Sequence, residues 1–243
     1  LEKGASLSLT WKLTGGDREG TCVLAAYYEL AEDARLHVSR LESGLTKTVI
    51  YDQRHSVLAA RARADFYAAE LGGEKIIVHS YGKLSGDASE MNERAIYAGR
   101  GRQHLDFFYH IDHVGKKTKA EIDLKGALAD ESKKIFRGTL DFKRGCAGSV
   151  GDEGDFAIQL DPKTKNISLP LLLCTEDDVQ GNHASSAGQL DQNTIYFLMS
   201  RGFTLEEARR IVVEALIRPI IDDMDETIRE EVLAAVREKL DRE

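Results

Sequence analysis

Three short segments in the middle of the chain indicate its secondary structure: Leu105-Asp-Phe-Phe-Tyr-His-Ile111, Ala120-Glu-Ile-Asp-Leu124 and Ile135-Phe-Arg-Gly-Thr-Leu-Asp-Phe142. Apolar and polar residues alternate in each of them, which places one set of side chains on each face of a β-strand. The segments begin about 15 residues apart, with turns between them. This rhythm predicts either stacked β-helix coils or a meandering β-sandwich, and periodicity by itself leaves both open.

The same alternation extends in both directions from these segments. It occurs in Ser6-Leu-Ser-Leu-Thr-Trp-Lys-Leu13, in Arg35-Leu-His-Val-Ser-Arg-Leu41 and in Lys75-Ile-Ile-Val-His79, and it continues to about Leu173. No long amphipathic helix interrupts the strands, which disfavours doubly wound and barrel α/β folds with helical crossovers. We therefore expect strands stacked as successive coils from about residue 20 to 173.

Three helices are expected after the strands. Asp191 is placed to cap a helix over residues 192–200, Gly202 to follow its end, and Thr204-Leu-Glu-Glu207 to form a capping box for the next helix. Pro219 is expected to limit that second helix. We expect the helices to lie at one end of the stack and to cover the open edge of the terminal coil. The apolar positions of the final helix are Ile228, Val232, Ala235 and Val236.

The composition is that of an ordinary folded protein. The 243 residues carry a formal net charge of -8 and 42% hydrophobic residues, which indicates neither disorder nor a nucleic-acid partner. No apolar run approaches the roughly 20 residues that span a bilayer, and Leu1-Glu-Lys-Gly-Ala5 does not resemble a signal peptide. We expect a cytoplasmic protein without a membrane partner. The chain begins without Met, so we also expect that an N-terminal part is missing.

The three cysteines are widely spaced and form no C-x-x-C pair. An odd number in this arrangement argues against a disulfide framework and against a self-contained thiolate site. Cys146 follows Lys143-Arg144-Gly145, and Cys174 ends an apolar run. Each is a weak candidate metal ligand, with a small buried core residue as the plainer interpretation.

Two further patterns suggest other chemistry. His104, His110 and His113 together could indicate zinc, but residues 110 and 113 differ in strand parity and should face opposite sides of a sheet. The paired Asp177 and Asp178 could serve as the acid and base of a β-helical carbohydrate-active enzyme. Neither a sugar-stacking aromatic pattern nor a secretion signal accompanies that pair.

A stretch near the C-terminus carries a family signature. Asp177-Asp-Val-Gln-Gly-Asn-His-Ala-Ser-Ser-Ala-Gly-Gln-Leu-Asp191 is followed by Ile195-Tyr-Phe-Leu-Met-Ser-Arg-Gly-Phe203 and Thr204-Leu-Glu-Glu-Ala-Arg-Arg210. A His before a Gly-containing turn of small residues, and then an Arg-Gly pair that closes the next helix, resembles the SufB/SufD family of iron-sulfur cluster assembly proteins. The chain is nearer the SufD type and divergent, since Asn182 and Ala184 flank His183 where SufB-type members have acidic residues.

The resemblance implies a fold and a set of partners. The fold is mainly β, with a right-handed parallel β-helix core at residues 1–173 and a signature loop with a C-terminal α-helical segment at residues 174–243. The family's core pairs with a SufB/SufD-type subunit or a second copy, and its helical segment docks a SufC-type ABC ATPase. The resemblance thus implies a component of the SUF complex that is not itself an enzyme and binds no nucleotide.

The resemblance also implies site residues. It places His183 at the interface with the partner subunit, as a candidate ligand of a transient iron-sulfur cluster that the two subunits share. Phe197, Arg201, Gly202 and Phe203 are the candidate residues for ATPase docking. Two alternatives stay open: a purely structural partner subunit, and the carbohydrate-active enzyme already described.

Overall fold

The computed structural model describes residues 1–241, and these residues form thirteen strands and three helices. The strands are β1 (Ser6–Gly15), β2 (Gly20–Leu30), β3 (Arg35–Gly44), β4 (Thr48–Leu58), β5 (Arg63–Glu70), β6 (Lys75–Leu84), β7 (Glu90–Gly99), β8 (His104–His113), β9 (Lys119–Leu128), β10 (Lys133–Phe142), β11 (Ser149–Gln159), β12 (Lys165–Cys174) and β13 (Val179–Gln189). The helices are α1 (Gln192–Ser200), α2 (Leu205–Asp222) and α3 (Glu226–Leu240). No helix in residues 1–241 has the length and apolar character needed to cross a membrane.

The strands form two sheets that stack coil upon coil. Odd-numbered strands make one sheet in the order β1-β3-β5-β7-β9-β11-β13, and even-numbered strands make the other in the order β2-β4-β6-β8-β10-β12. All the strand pairings are parallel. The chain is therefore a parallel β-solenoid of about six turns, which confirms the β-helix prediction and excludes the antiparallel sandwich.

Alternate side chains from both sheets fill the interior of the solenoid. Phe66, Phe107, Leu124 and Phe136 belong to one buried cluster that extends along the axis. Each such side chain contributes about 2 kcal/mol of hydrophobic stabilisation relative to an exposed position. Inward residues recur at every second position of each strand, which is the alternation visible in the sequence.

Stacked turns at one corner join the coils. Asp33, Arg61, Ala88 and Lys117 each adopt a left-handed backbone, with φ between 55° and 62°. Each donates its backbone N–H to a carbonyl in the turn of the next coil, over 2.8 to 3.0 Å. The same corner needs glycine at residue 115, because a Cβ there would lie 2.3 Å from the backbone of Gly86. Backbone hydrogen bonds therefore continue along the axis even through the turns.

Charged side chains also occupy the interior. Arg54 donates to Asp52 at 2.6 Å and to Glu70 at 2.7 Å, and all three are at most 1% exposed. Burial raises the pKa of nearby Glu42 to about 9, and the Glu70 carboxylate acts in the same direction. Buried charges of this kind persist only when they are paired. The sequence pattern did not predict this network, because charged residues in a strand ordinarily face solvent.

Helices α2 and α3 pack along the side of the solenoid. Ile217, Ile221 and Val232 are buried with Leu41 and Ile96 on the outer face of the odd-strand sheet. The expectation that the helices cover the terminal coil is therefore wrong for α2 and α3. The outer face of the odd strands carries apolar side chains in its middle coils, and the apolar stripes of α2 and α3 are buried against them.

The helix ends agree with the sequence, with one exception. Asp191 accepts hydrogen bonds from the first turn of α1, and Thr204 and Glu207 form the capping box of α2. Pro219 lies inside α2, which continues to Asp222, so the expectation that it limits the helix is wrong. Ile220 and Ile221 are buried against the sheet, and their burial offsets the proline cost of about 3 kcal/mol.

Candidate functional site

His183 lies in the middle of β13, where the sequence suggested a turn. The strand reads Val-Gln-Gly-Asn-His-Ala-Ser-Ser-Ala-Gly-Gln, and it lies within the segment 174–243 that was expected to hold a loop and helices. Small and polar residues hide the strand pattern because most of β13 is exposed and needs no apolar face. The backbone pairing to β11 makes it a strand nevertheless.

β13 is the last strand of the odd-strand sheet, and one of its edges is unpaired. His183 is exposed there, next to Asn182, whose side-chain amide donates to Asp152 at 2.8 Å. His183 also borders a groove of about 300 Å³ that is lined in part by Glu121, Asp123 and Phe156. The imidazole is therefore accessible to a partner that approaches the end of the solenoid.

Titratable groups stand in the neighbouring coil, and the sequence did not single them out as a site. Glu153 on β11 is in register with His183, and its side chain faces inward against Gly138. Burial raises the pKa of Glu153 to about 8, although the backbone N–H of Leu171 acts in the opposite direction. Asp155, two residues further along β11, pairs with the buried ammonium of Lys134. Two buried carboxyl groups thus lie one strand from the end of the solenoid.

The cysteines occupy three different environments. Cys146 is fully buried, and burial raises the pKa of its thiol. Cys174 is exposed at the end of β12, and Cys22 on β2 is half-buried. In the part of the chain that the structure describes, neither Cys146 nor Cys174 joins His183 in a group of three metal-ligating side chains.

The last strand of the even-strand sheet carries an exposed apolar row. β12 pairs only with β10, so its other edge is also free. Its outward side chains are large aliphatic groups that are 39% to 54% exposed: Ile167, Leu169, Leu171 and Leu173. Such a row on a strand with one free edge is typical of an interface.

The candidate docking residues lie around the turn between α1 and α2. Phe197 is 54% exposed, and the guanidinium of Arg201 lies over its ring at 4.8 Å. Phe203 is 41% exposed, and Gly202 has the left-handed φ of 98° that ends α1 sharply. Tyr196 and Met199 on α1 are exposed as well.

His110 and His113 face opposite sides of β8, as the sequence predicted. His113 is fully buried, stacks on Phe142 and shares a hydrogen bond of 2.7 Å with Thr118. Burial lowers the pKa of His113 to about 4. His110 lies on the opposite, outward face of β8, stacked on Tyr81. The two histidines therefore do not share a metal ion.

The acidic pair of the carbohydrate-enzyme alternative lies in the turn between β12 and β13. Asp177 and Asp178 are both exposed. The carbonyl of Asp178 accepts the N–H of Gly148, a bond that stacks this turn on the preceding one. Asp177 and Asp178 thus belong to a solvent-exposed turn.

The family described as "SUF system FeS cluster assembly, SufBD core domain" matches residues 1–216. The iron-sulfur cluster assembly protein SufD of Bacillus subtilis is 27% identical over 204 residues, which are 84% of this chain and 46% of the relative. A SufBD family protein of Mycobacterium leprae is 26% identical over 216 residues, 85% of this chain and 55% of the relative.

A SufBD family protein of Mycobacterium tuberculosis is 24% identical over 236 residues, covering 93% of this chain and 59% of the relative. The chain thus spans about half the length of the curated relatives it matches. These matches do not favour the carbohydrate-active alternative. Because the family's domain covers residues 1–216 of 243, the chain belongs to the SufBD family of the SUF iron-sulfur cluster assembly system.

Proposed function

We propose that this chain acts in iron-sulfur cluster assembly as a scaffold or scaffold partner, through the open end of its solenoid. The observation that carries the proposal is the exposed imidazole of His183 on β13, the last strand of its sheet. A histidine with free access at a sheet edge is available to a subunit that docks there.

This chain offers too few metal-ligating side chains to hold a cluster without a partner. Imidazole is a suitable iron ligand, but a cluster needs about four protein ligands, and Cys146 is buried as a thiol. The remaining ligands would come from a SufB/SufD-type subunit or from a second copy of this chain. The aliphatic row on β12 supplies the apolar contact that such pairing needs. The cluster is then transient cargo, held between two subunits.

The surface around Phe197 and Arg201 is suited to a second partner, an ATPase. The exposed aromatic and cationic side chains around Phe197 and Arg201 form an anchor of the composition found in interface hot spots. We propose that a SufC-type ABC ATPase docks there. The helices and the open end would then serve different partners at the same time.

The test is reconstitution of the complex with iron and sulfide under anaerobic conditions. Because the His183 side chain is exposed, His183→Ala should change the free energy of unfolding by less than about 0.5 kcal/mol. It should nevertheless lower the yield of assembled cluster, measured by visible absorption. His104→Ala, on the outer face of β8, is the matched control. Unchanged assembly in the His183→Ala complex would contradict the proposal.

A further inference from the structure

Three potential metal ligands lie together on the outward face of the even-strand sheet. His110 and Asp112 are two residues apart on β8, so they face the same side. Asp141 on β10 stands in register with Asp112 on the neighbouring strand. The parallel register therefore converts His-x-Asp and a distant Asp into one cluster.

The ligand atoms of these residues are close and well ordered by the sheet. One atom from each side chain lies within 4.8 Å of the other two. His110 Nε2 is 3.0 Å from Asp112 Oδ1. The side chains are 18% exposed for His110 and 9% exposed for each aspartate. Ligand atoms this close together could share one ion.

Tyr81 on β6 holds two of the three ligands in place. Its ring stacks on His110 with centroids 4.9 Å apart and planes 16° apart. Its hydroxyl donates to Asp112. Metal ligands are ordinarily oriented by such outer partners, which fix the ring and the carboxylate before the ion arrives.

A positive charge already occupies the space between the two carboxylates. The ammonium of Lys143 is 3.4 Å from Asp112 Oδ1 and also donates to Asp141. Its side chain is 44% exposed and flexible, so it can swing into solvent when another cation binds. The site therefore favours a cation, and Lys143 competes for it.

We propose that His110, Asp112 and Asp141 bind a divalent first-row transition metal ion in exchange for the ammonium of Lys143. One imidazole nitrogen and two carboxylate oxygens suit Zn²⁺, Fe²⁺ or Co²⁺, whereas Mg²⁺ and Ca²⁺ prefer oxygen ligands throughout. Three protein ligands leave a coordination position open for water. The site lies on the other sheet from His183 and needs no partner chain, although Asp141 is in register with Leu173 of the aliphatic row on β12.

The experiment titrates the full chain with Co²⁺, followed by visible absorption, and with Zn²⁺, followed by calorimetry. We expect Asp141→Asn and His110→Ala to weaken binding at least tenfold, since each removes a ligand. Lys143→Met should tighten binding about tenfold, since it removes the competing ammonium. His79→Ala is the matched control, because His79 lies on the same outward face between the rings of Tyr51 and Phe108. That variant should bind like the parent chain.

The Lys143→Met result keeps the test decisive if a ligand variant fails to fold, because a gain of affinity cannot arise from unfolding. Parent-like binding by Asp141→Asn and His110→Ala would overturn the proposal. So would unchanged or weaker binding by Lys143→Met. A thiolate-to-cobalt charge-transfer band in the near ultraviolet would place the ion on a cysteine and would also overturn it.

Discussion

Single buried carboxyl groups are the most unusual residues of this solenoid. Glu153 is 3% exposed and lies in register with the exposed His183, one strand from the open end. Burial raises its pKa to about 8, so the side chain is mostly protonated at neutral pH. A second subunit that covered this end would bury Glu153 further and would stabilise its neutral form.

The raised pKa of Glu153 predicts a pH-dependent stability. The folded pKa of about 8 exceeds the ordinary 4.5, so between these values the folded chain holds more protons than the unfolded chain. The free energy of unfolding therefore falls as pH rises through this window. Glu153→Gln should remove this part of the fall, and relative to the parent it should gain at least about 1 kcal/mol at high pH.

Urea denaturation below and above this window measures the effect. Glu42 and Glu93 also have pKa values raised by burial, so only the difference between parent and variant reports on Glu153. Asp152→Asn, one residue away on the outward face, serves as the control. Equal pH profiles for the parent and Glu153→Gln would show that the carboxyl group is ionised in the folded chain.

Among the elements, the inner strands could be predicted from sequence because burial imposes alternation on them. β13 could not be recognised, since its exposed residues carry no such constraint. The predicted position of the helices was wrong for a different reason. Ala95-Ile-Tyr-Ala98 on β7 is a continuous apolar run, which signals a strand buried on both faces, and this signal could have placed the helices on the odd-strand sheet.

The candidate site was predicted only in part. A family signature drew attention to His183, whereas Glu153, Asp155 and Lys134 carry no motif. Their importance comes from burial, which depends on which face of a strand points inward and on how the coils stack. The cluster of His110, Asp112 and Asp141 arises from register between strands, and register cannot be read from one strand alone.

The helical elements make a prediction about docking. Phe197→Ala combined with Arg201→Glu removes the stacked pair and reverses its charge, so it should weaken co-purification with a SufC-type ATPase at least tenfold. Circular dichroism should stay unchanged, because both side chains are exposed. The control is Arg218→Glu at the other end of α2, which is half exposed. Parent-like affinity of the double variant in calorimetry would remove α1 from the docking surface.

At the scale of the whole molecule, the two ends of the solenoid differ. The end at β12 and β13 presents four large aliphatic side chains and His183, and the opposite end presents Leu7 on β1 and Val23 and Tyr27 on β2. Exposed apolar rows on free edges favour association. The proposed pairing uses the end that also carries His183, and α2 and α3 lie on the side of the solenoid.

Leu169→Lys combined with Leu171→Lys should weaken that pairing. Both residues are about half exposed, so the free energy of unfolding should change by no more than about 1 kcal/mol. Sedimentation velocity of the chain, alone and with a SufB/SufD-type partner, should show a larger monomer fraction. Val23→Lys on β2, which is 67% exposed at the opposite end, is the control. Association equal to that of the parent would exclude β12 as the contact.

Because the strands stack in parallel, the length of the solenoid is set by its number of coils. Each coil advances the molecule by one strand spacing of about 4.8 Å, and α2 packs on β7 and β9. Of the described strands of that sheet, β11 and β13 lie beyond β9, so these contacts of α2 lie about 10 Å from the open end. Insertion or loss of one coil there would shift these contacts of α2 by one fixed step relative to the end. The number of coils beyond β9 thus sets how far this part of α2 lies from the open end.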